Sequence, residues 1–209
     1  RYQKMVEEAP AAILSPALRN RVSQAAIDLL SPISYRNAGT VEFLYDEETE
    51  QFFFMEVNAR IQVEHPVSEQ ICGIDLIQRQ LDVASGEASE LAQDDIIPAG
   101  HSIEVRIIAE NPLDNFRPSP GRITNWSAPS GTGIRVDTAM TSGVMVPPYY
   151  DSMIAKLIVT GRDRDDAVAR LRDALDSFVI EGIATNIDLL RFISRHPDFI
   201  ENRIDTRWA

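Results

Sequence analysis

The most informative run of the sequence is FMEVNARIQVEHP, from Phe54 to Pro66. From Met55 to Glu64, polar side chains take every second position, and apolar side chains take the positions between them. A period of two is the pattern of an extended strand whose two faces differ. We predict that the strand continues to residue 64 and that His65-Pro66 ends it. Its polar face combines carboxylates, amides and a guanidinium, a mixture unusual for a simply solvated face: Glu56, Asn58, Arg60, Gln62 and Glu64.

Two β-rich runs, from Thr40 to Tyr45 and from Phe52 to Asn58, are separated by the polar residues 46–50. This arrangement predicts a hairpin with a long loop. In a regular hairpin centred on Thr49, Glu42 would lie directly opposite Glu56, with Cβ atoms about 4.5 to 5.5 Å apart. Two facing carboxylates repel each other unless they share a proton, accept a cationic side chain between them or bind a hard cation. Two solvated glutamates are the alternative.

Distance divides the polar face into two predicted subsites. Eight residues of extended chain span about 26 Å, so Glu56 and Glu64 cannot contact one ion unless the chain bends. Glu42, Glu56 and Asn58 offer oxygen ligands for Mg²⁺ or Mn²⁺. The second subsite would bind a small anion beside a carboxylate that can act as a base, and its residues are Arg60, Gln62 and Glu64.

Composition limits the classes of protein that the chain can represent. It has 209 residues and a net charge of −12, and its acidity argues against nucleic acid or an anionic membrane as the main partner. No apolar run approaches the roughly 20 residues that span a bilayer. A single cysteine, Cys72, excludes an internal disulfide and fits a reducing compartment, so we expect a cytoplasmic location, or the mitochondrial matrix in a eukaryote.

Local signals place the remaining elements and predict an α+β fold. Ser15-Pro16 should cap a helix that ends at Ser31-Pro32, and a second helix should cover Asp75 to Ala84. The regular pattern of apolar residues is lost from Glu87 to Gly100, where the sequence is polar and contains proline and glycine. We therefore predict two domains, residues 1–97 and 98–209. The second should contain a small mixed β-sheet followed by C-terminal helices, the last of them capped by Thr185.

Within the second domain, apolar and polar residues alternate from Ser102 to Ala109, as in a half-buried strand. Arg106 falls on the polar face of this strand, next to Glu104. By spacing alone, this arginine is either a functional residue or a surface side chain paired across the sheet. Short β-rich runs should follow near residues 122–127, 133–138 and 154–160.

The run from Phe54 to Pro66 resembles the signature near the end of the ATP-grasp domain in biotin carboxylases. The resemblance covers almost the whole chain, because further stretches match at residues 2–10, 38–43, 104–110, 118–121 and 146–153. It implies that residues 1–97 are the closing part of an ATP-grasp domain and that 98–209 are a biotin carboxylase C-terminal domain. The implied reaction is ATP-dependent carboxylation of carrier-bound biotin by bicarbonate, through carboxyphosphate.

The resemblance also implies a role for each candidate residue. Glu42, Glu56 and Asn58 would hold one or two Mg²⁺ or Mn²⁺ ions on the phosphates of ATP, and Glu64 would deprotonate bicarbonate. Arg106 would stabilise the enolate of biotin, and Arg60 would also stabilise carboxyphosphate. The implied ligands of bicarbonate are Lys4, Arg60, Gln62 and the backbone at Val63. Tyr2 stands where many members have a histidine of the nucleotide site.

The implied partners are a biotin carboxyl carrier and a carboxyltransferase component, and the implied full-length protein is a homo-oligomer with a dimer contact near Arg135. The glycine-rich lid of the family does not occur in this sequence, so we expect the chain alone to be inactive. Two alternatives stay open. One is another ATP-grasp ligase, of the carbamoyl-phosphate or aminoimidazole-ribotide carboxylase type, and the other is a non-catalytic folding or interaction module.

Overall fold

A computed structural model describes residues 4–87, 91–205 and 208 of the chain. Two compact units divide it: Ala11–Pro98 form one, and Arg1–Pro10 together with Ala99–Ala209 form the other. The predicted division into 1–97 and 98–209 therefore differs at the first ten residues. They join the second unit because strand β1, Val6–Ala9, pairs with strand β4, His101–Ile108.

The unit Ala11–Pro98 combines helices with one hairpin. Helix α1, Pro16–Leu30, begins where predicted, because the Ser15 hydroxyl accepts the Leu18 N–H at 3.2 Å. Strands β2, Thr40–Asp46, and β3, Gln51–Asn58, pair antiparallel. Helices α2, His65–Cys72, and α3, Leu76–Ser85, follow, and α3 ends at Gly86, whose φ of 89° suits a residue without a Cβ.

The other unit is built on an antiparallel sheet with the strand order β1-β4-β11-β9, in which β9 is Ile134–Thr138 and β11 is Met153–Gly161. One face of β4 carries the predicted apolar residues and is fully buried. Helices α4, Arg164–Ser177, and α5, Ile187–Arg195, share the same hydrophobic core. The α+β class is confirmed, and every strand pairing that the structure describes is antiparallel, where a mixed sheet was expected.

Shorter elements complete the described chain. The remaining strands and the last helix are β5 Glu110–Asn111, β6 Arg117–Pro118, β7 Gly121–Arg122, β8 Asn125–Ser127, β10 Met145–Val146, β12 Val179–Glu181 and α6 Pro197–Ile200. Short 3₁₀ turns lie at Ser31–Ile33, Gln93–Asp95 and Pro112–Asp114. Within the described ranges, no helix combines the length and the apolar character needed to cross a membrane.

Candidate functional site

The β2–β3 hairpin brings the two predicted carboxylates together. Glu42 lies directly opposite Glu56 in the strand register, as the sequence predicts. The hairpin is not regular, because the register shifts next to this pair, and Phe43 faces Phe54. Met55 is therefore an additional residue in β3, as in a β-bulge. The bulge leaves the two glutamates paired although the loop is not centred on Thr49.

Two side-chain amides hold these carboxylates. Asn58 Nδ2 donates to Glu42 Oε1 at 3.1 Å and to Glu56 Oε1 at 2.9 Å. Gln62 Nε2 donates to the same Glu42 oxygen at 2.8 Å, and Gln62 is only 5% exposed. Amide donors thus occupy the position between two like charges that would otherwise repel each other.

The chain bends sharply after Asn58, so the predicted strand to residue 64 is wrong. Strand β3 ends at Asn58, and the Arg60 N–H donates to the Asn58 carbonyl at 2.8 Å, which closes a tight turn. The bend returns Gln62 to Glu42. The two predicted subsites are therefore joined at the Glu42 carboxylate. His65 and Pro66 do not merely end an extended segment, since they begin helix α2.

His65 fixes the end of this bend, a role that the sequence pattern did not predict. Its Nδ1 lies 2.7 Å from the Gln62 carbonyl, and because a carbonyl only accepts, Nδ1 carries the proton. Its Nε2 lies 3.9 Å from Glu69 Oε1, and Glu69 is 7% exposed. The same Glu69 oxygen accepts the Leu76 N–H at 2.8 Å, which ties the middle of α2 to the start of α3. A histidine followed by glutamate four positions later in a helix is the signal that could have indicated this contact.

The remaining residues of the predicted anion subsite lie on the bend. Arg60 is exposed, and its guanidinium donates to the Ile61 carbonyl at 3.2 Å and to Asn58 Oδ1 at 3.4 Å. Val63 and Glu64 are half-buried. Glu64 occupies the N-cap position of α2, where its side chain makes no capping hydrogen bond.

The donor set of the hairpin fits a hard divalent cation. Carboxylate and amide oxygens are the ligands that Mg²⁺ and Mn²⁺ prefer. Glu42, Glu56 and Asn58 supply them from two neighbouring strands, and Asn58 lies within hydrogen-bond distance of both carboxylates. No group of three or more His, Cys, Asp and Glu side chains with metal-binding geometry occurs in the part of the chain that the structure describes. The set Glu42, Glu56 and Asn58 does not belong to such groups, because one of its three members is an asparagine.

Arg106 and Lys4 belong to the other compact unit. Arg106 Nη2 forms an ion pair with Glu7 Oε1 at 2.7 Å, and the two side chains are 19% and 11% exposed. The Arg106 N–H donates to the Met5 carbonyl at 3.1 Å, which places exposed Lys4 one residue beyond that contact. Tyr2 lies outside the described residues.

A row of charges crosses the sheet on the face of Arg106. Lys156 lies opposite Arg106 in the register of β11, and Asp137 lies opposite Lys156 in β9. Asp137 contacts Lys156 Nζ at 3.4 Å and Arg135 Nε at 2.7 Å. Burial alone would raise the pKa of Asp137, but Arg135 and Lys156 outweigh it and hold that pKa below its usual value. Glu104, expected on an open polar face, is fully buried.

Comparison with protein families gives two matches that together cover most of the chain. The model of the biotin carboxylase C-terminal domain matches residues 104–209. The model of the carbamoyl-phosphate synthase L chain, ATP binding domain, matches residues 1–92.

Individual relatives match the whole chain but are much longer. A pyruvate carboxylase subunit of Methanothermobacter thermautotrophicus is 48% identical over 209 residues, all of this chain and 42% of the relative. Biotin carboxylase 1 of Bacillus subtilis is 47% identical over 208 residues, 100% of this chain and 46% of that protein. The chain thus spans slightly less than half the length of these curated relatives.

Solved structures share the fold. A biotin carboxylase subunit of pyruvate carboxylase gives a TM-score of 0.97 at 45% identity, over 100% of this chain and 46% of that one. The biotin carboxylase domain dimer of Hydrogenobacter thermophilus 2-oxoglutarate carboxylase, in complex with MgADP, ADP and bicarbonate, gives 0.96 at 43% identity, over 99% and 46% of the two chains.

Proposed function

The chain belongs to the biotin carboxylase family, and on that premise we propose that it contributes to the ATP-dependent carboxylation of carrier-bound biotin by bicarbonate. The observation that carries the proposal is the cluster around the Glu42 carboxylate. There, oxygen ligands suited to a divalent cation adjoin Arg60 and Gln62, which are suited to a small anion.

We assign Mg²⁺ or Mn²⁺ to Glu42, Glu56 and Asn58. When bound, the ion supplies positive charge that offsets the phosphates of ATP. The hairpin contributes a prearranged set of oxygens, since register and bulge already place both carboxylates beside Asn58. Asn58 Nδ2 now points to the carboxylates, so the amide has to turn to present Oδ1 to a cation.

Bicarbonate is assigned to the bend that follows the hairpin. The Arg60 guanidinium has the planar fork that matches carboxylate and phosphate oxygens, and Gln62 and the Val63 backbone add donors. Family resemblance adds Lys4 to this set and Tyr2 to the nucleotide site. The Glu64 carboxylate takes the proton of the bicarbonate hydroxyl, and the resulting oxygen nucleophile attacks the γ-phosphorus of ATP, which releases ADP and forms carboxyphosphate.

Arg106 is assigned to biotin. Loss of the N1′ proton places negative charge on the ureido oxygen, and a fixed guanidinium directed at that charge lowers the barrier more than it stabilises the ground state. Low exposure of Arg106 supports this role, because hydrogen bonds to developing charge are stronger where water is scarce.

The proposed partners follow from the same assignment. Biotin reaches such a site on a carrier domain or carrier protein, and a carboxyltransferase component uses the carboxylated product. The solved 2-oxoglutarate carboxylase relative is a dimer of biotin carboxylase domains. We propose that this protein also assembles as a homo-oligomer, with Arg135 near the contact.

A different ATP-grasp ligase would share the metal carboxylates and the N-terminal family match. The match of residues 104–209 to the biotin carboxylase C-terminal domain favours the biotin reaction over that alternative. A non-catalytic folding or interaction module is the other alternative, and it would bind a carrier or a second copy without any turnover.

The test uses a chimaera in which residues 1–209 replace the matching 208 residues of Bacillus subtilis biotin carboxylase 1. Phosphate release is measured with Mg²⁺ and bicarbonate, with and without free biotin. We expect biotin-stimulated turnover from the chimaera and negligible turnover from the 209-residue chain alone. A chimaera that folds, binds MgATP and lacks turnover would support the non-catalytic module.

Arg106→Ala in the chimaera separates the biotin step from bicarbonate activation. Removing one donor to developing negative charge costs about 100- to 1,000-fold in turnover, so the biotin-dependent rate should fall by about that factor. Slow bicarbonate-dependent ATP hydrolysis should persist. Arg117→Ala is the matched control, because the Arg117 side chain is 78% exposed in the same unit. Equal loss of both activities in Arg106→Ala would contradict the role assigned to Arg106.

A further inference from the structure

Strand β1 leaves the sheet at the level of Arg106. The Arg106 N–H still donates to the Met5 carbonyl at 3.1 Å. One residue earlier, Lys4 has a φ of 61°, in the left-handed region, and the chain turns away from the ladder. In a continued antiparallel pair, the next β1 groups would bond to the Arg106 carbonyl and the Ile108 N–H. Both groups therefore need another partner at this edge of β4.

Asn186 supplies that partner. Its Nδ2 donates to the Arg106 carbonyl at 2.9 Å, and its Oδ1 accepts the Ile108 N–H at 2.9 Å. The Asn186 N–H also donates to the Ile108 carbonyl at 3.2 Å. A carboxamide has the same donor and acceptor as a peptide group, so this fully buried side chain continues the ladder where β1 ends. The backbone on both sides of the Arg106 side chain is thereby fixed.

Glu7 acts on the guanidinium itself. It lies opposite Glu104 in the register, so Arg106 is its diagonal cross-strand neighbour, at a distance that long side chains can bridge. The contact measures 2.7 Å between Glu7 Oε1 and Arg106 Nη2. On the other side, Lys156 lies opposite Arg106 and repels it, while Asp137 holds Lys156 at 3.4 Å. Arg106 thus pairs with Glu7, whereas Lys156 pairs with Asp137, which also contacts Arg135.

We propose that Glu7 and Asn186 are positioning residues for Arg106, Glu7 holding the guanidinium and Asn186 holding the strand that carries it. This rests on the proposed role of Arg106 toward biotin. Neither residue needs to contact substrate. A donor that acts on developing charge is effective only if its position is fixed before the reaction, and a shift of about 1 Å can cost about 100-fold in rate.

Glu7→Gln is the principal variant, because it keeps the shape of the side chain and removes its charge. In the chimaera, we expect kcat for biotin-dependent phosphate release to fall by about 10- to 100-fold. Biotin-independent, bicarbonate-dependent ATP hydrolysis should stay within about twofold of the parent, because that activity does not use Arg106. Asn186→Asp, which keeps the acceptor for Ile108 and loses the donor to Arg106, should give the same split.

Glu8→Gln is the matched control. Glu8 follows Glu7 in β1 but contacts His101 and Arg164 instead of Arg106. It should lower the thermal stability of the unit and leave the ratio of biotin-dependent to biotin-independent activity unchanged. If Glu7→Gln and Glu8→Gln change this ratio equally, the effect is structural and the positioning role is wrong.

A spectroscopic readout makes the test independent of turnover. In the 209-residue chain, ¹⁵N relaxation of the Arg106 Nε–H group should show restricted motion, which Glu7→Gln releases and Glu8→Gln does not. An equally ordered Arg106 in Glu7→Gln would overturn the proposal. Arg106→Ala distinguishes a failure of the role proposed for Arg106 from a failure of the positioning role proposed for Glu7. If it spares biotin-dependent turnover, the proposed function of Arg106 fails, whereas if it abolishes turnover and Glu7→Gln does not lower it, the positioning role alone fails.

Discussion

Replacement of Glu8 by glutamine should strongly destabilise the unit that contains the four-stranded sheet. Glu8 is 14% exposed and joins three elements of that unit. One oxygen accepts from His101 at 2.9 Å and from Arg164 Nε at 2.9 Å, and the other accepts from Arg164 Nη2 at 2.9 Å. Arg164 also donates to the carbonyls of Phe199 and Ile200 at 2.8 and 2.7 Å. Glutamine would keep one acceptor and leave a largely buried guanidinium without its counter-charge.

The expected loss follows from this geometry. Removing one partner of a buried ion pair typically costs about 3 to 5 kcal/mol, and because glutamine retains one hydrogen bond we take about 3 kcal/mol. For a unit of this size, about 4 °C of Tm corresponds to 1 kcal/mol, so Tm should fall by about 12 °C. Trp126 and Trp208 are the two tryptophans of the chain, and both lie within Ala99–Ala209, so tryptophan fluorescence reports the unfolding of this unit.

The same variant predicts a pH dependence with a definite sign. Burial alone would raise the pKa of Glu8, but hydrogen bonds from His101 and Arg164 outweigh it and hold the pKa below its usual value. The stabilisation is therefore complete above the unfolded pKa of about 4.3 and is lost as pH falls through the lower folded pKa. The difference in Tm between the parent and Glu8→Gln should be constant from about pH 7 to 5 and should shrink below about pH 4.

Glu181→Gln is the control for Glu8→Gln, since Glu181 is an exposed glutamate in the same unit. Its Tm should match that of the parent at each pH. A decrease of less than about 3 °C in Glu8→Gln at pH 7 would mean that the buried ion pair adds little stability. A difference that persists unchanged at pH 3 would show that the charge of Glu8 is not its cause.

Two further predictions concern the other unit. Asn58→Ala should weaken Mn²⁺ binding to the 209-residue chain by about tenfold or more, measured by electron paramagnetic resonance, because one oxygen ligand is lost. The exposed Asn20→Ala is its control, and equal affinities in the two variants would remove Asn58 from the metal site. Amide hydrogen exchange should be faster in α3, which buries no residue, than in β4 and β11, which lie in the core. Equal protection of these elements against exchange would contradict the expectation that protection follows burial.

Signals between near neighbours in the sequence predicted much of the fold. The Ser15 cap of α1 is found. The helix expected over Asp75 to Ala84 is also found as α3, one residue later at each end, and Asp75 caps it by accepting the Gln78 N–H at 2.8 Å. Val168, Leu171 and Leu175 recur at helical spacing in the sequence, and all three are buried in α4. Each of these features depends on residues within one or two helical turns of each other, so the sequence pattern contains the necessary information.

Contacts between distant residues were not predictable in the same way. The partner of β1 is almost one hundred positions away, so nothing near Glu7 indicates that it meets Arg106. The last long helix, α5, was expected to have Thr185 as its cap, but Asn186 occupies that position. The Asn186 side chain does not cap the helix, because it bonds to β4 instead. A tertiary contact has here replaced a local one.

The polar alternation after Glu56 predicted residues that the structure brings together, but it predicted the wrong geometry for them. A straight strand would separate Glu56 from Glu64 by about 26 Å and would require two independent sites. The turn after Asn58 instead places the Gln62 amide 2.8 Å from Glu42. A reaction between a metal-bound phosphate and bicarbonate requires the cation and the anion to lie within a few ångströms of each other, with about 3 to 3.5 Å between reacting atoms. Because the chain bends there, the predicted metal ligands and the predicted anion ligands meet at the Glu42 carboxylate, and the proposed transfer requires them to lie this close.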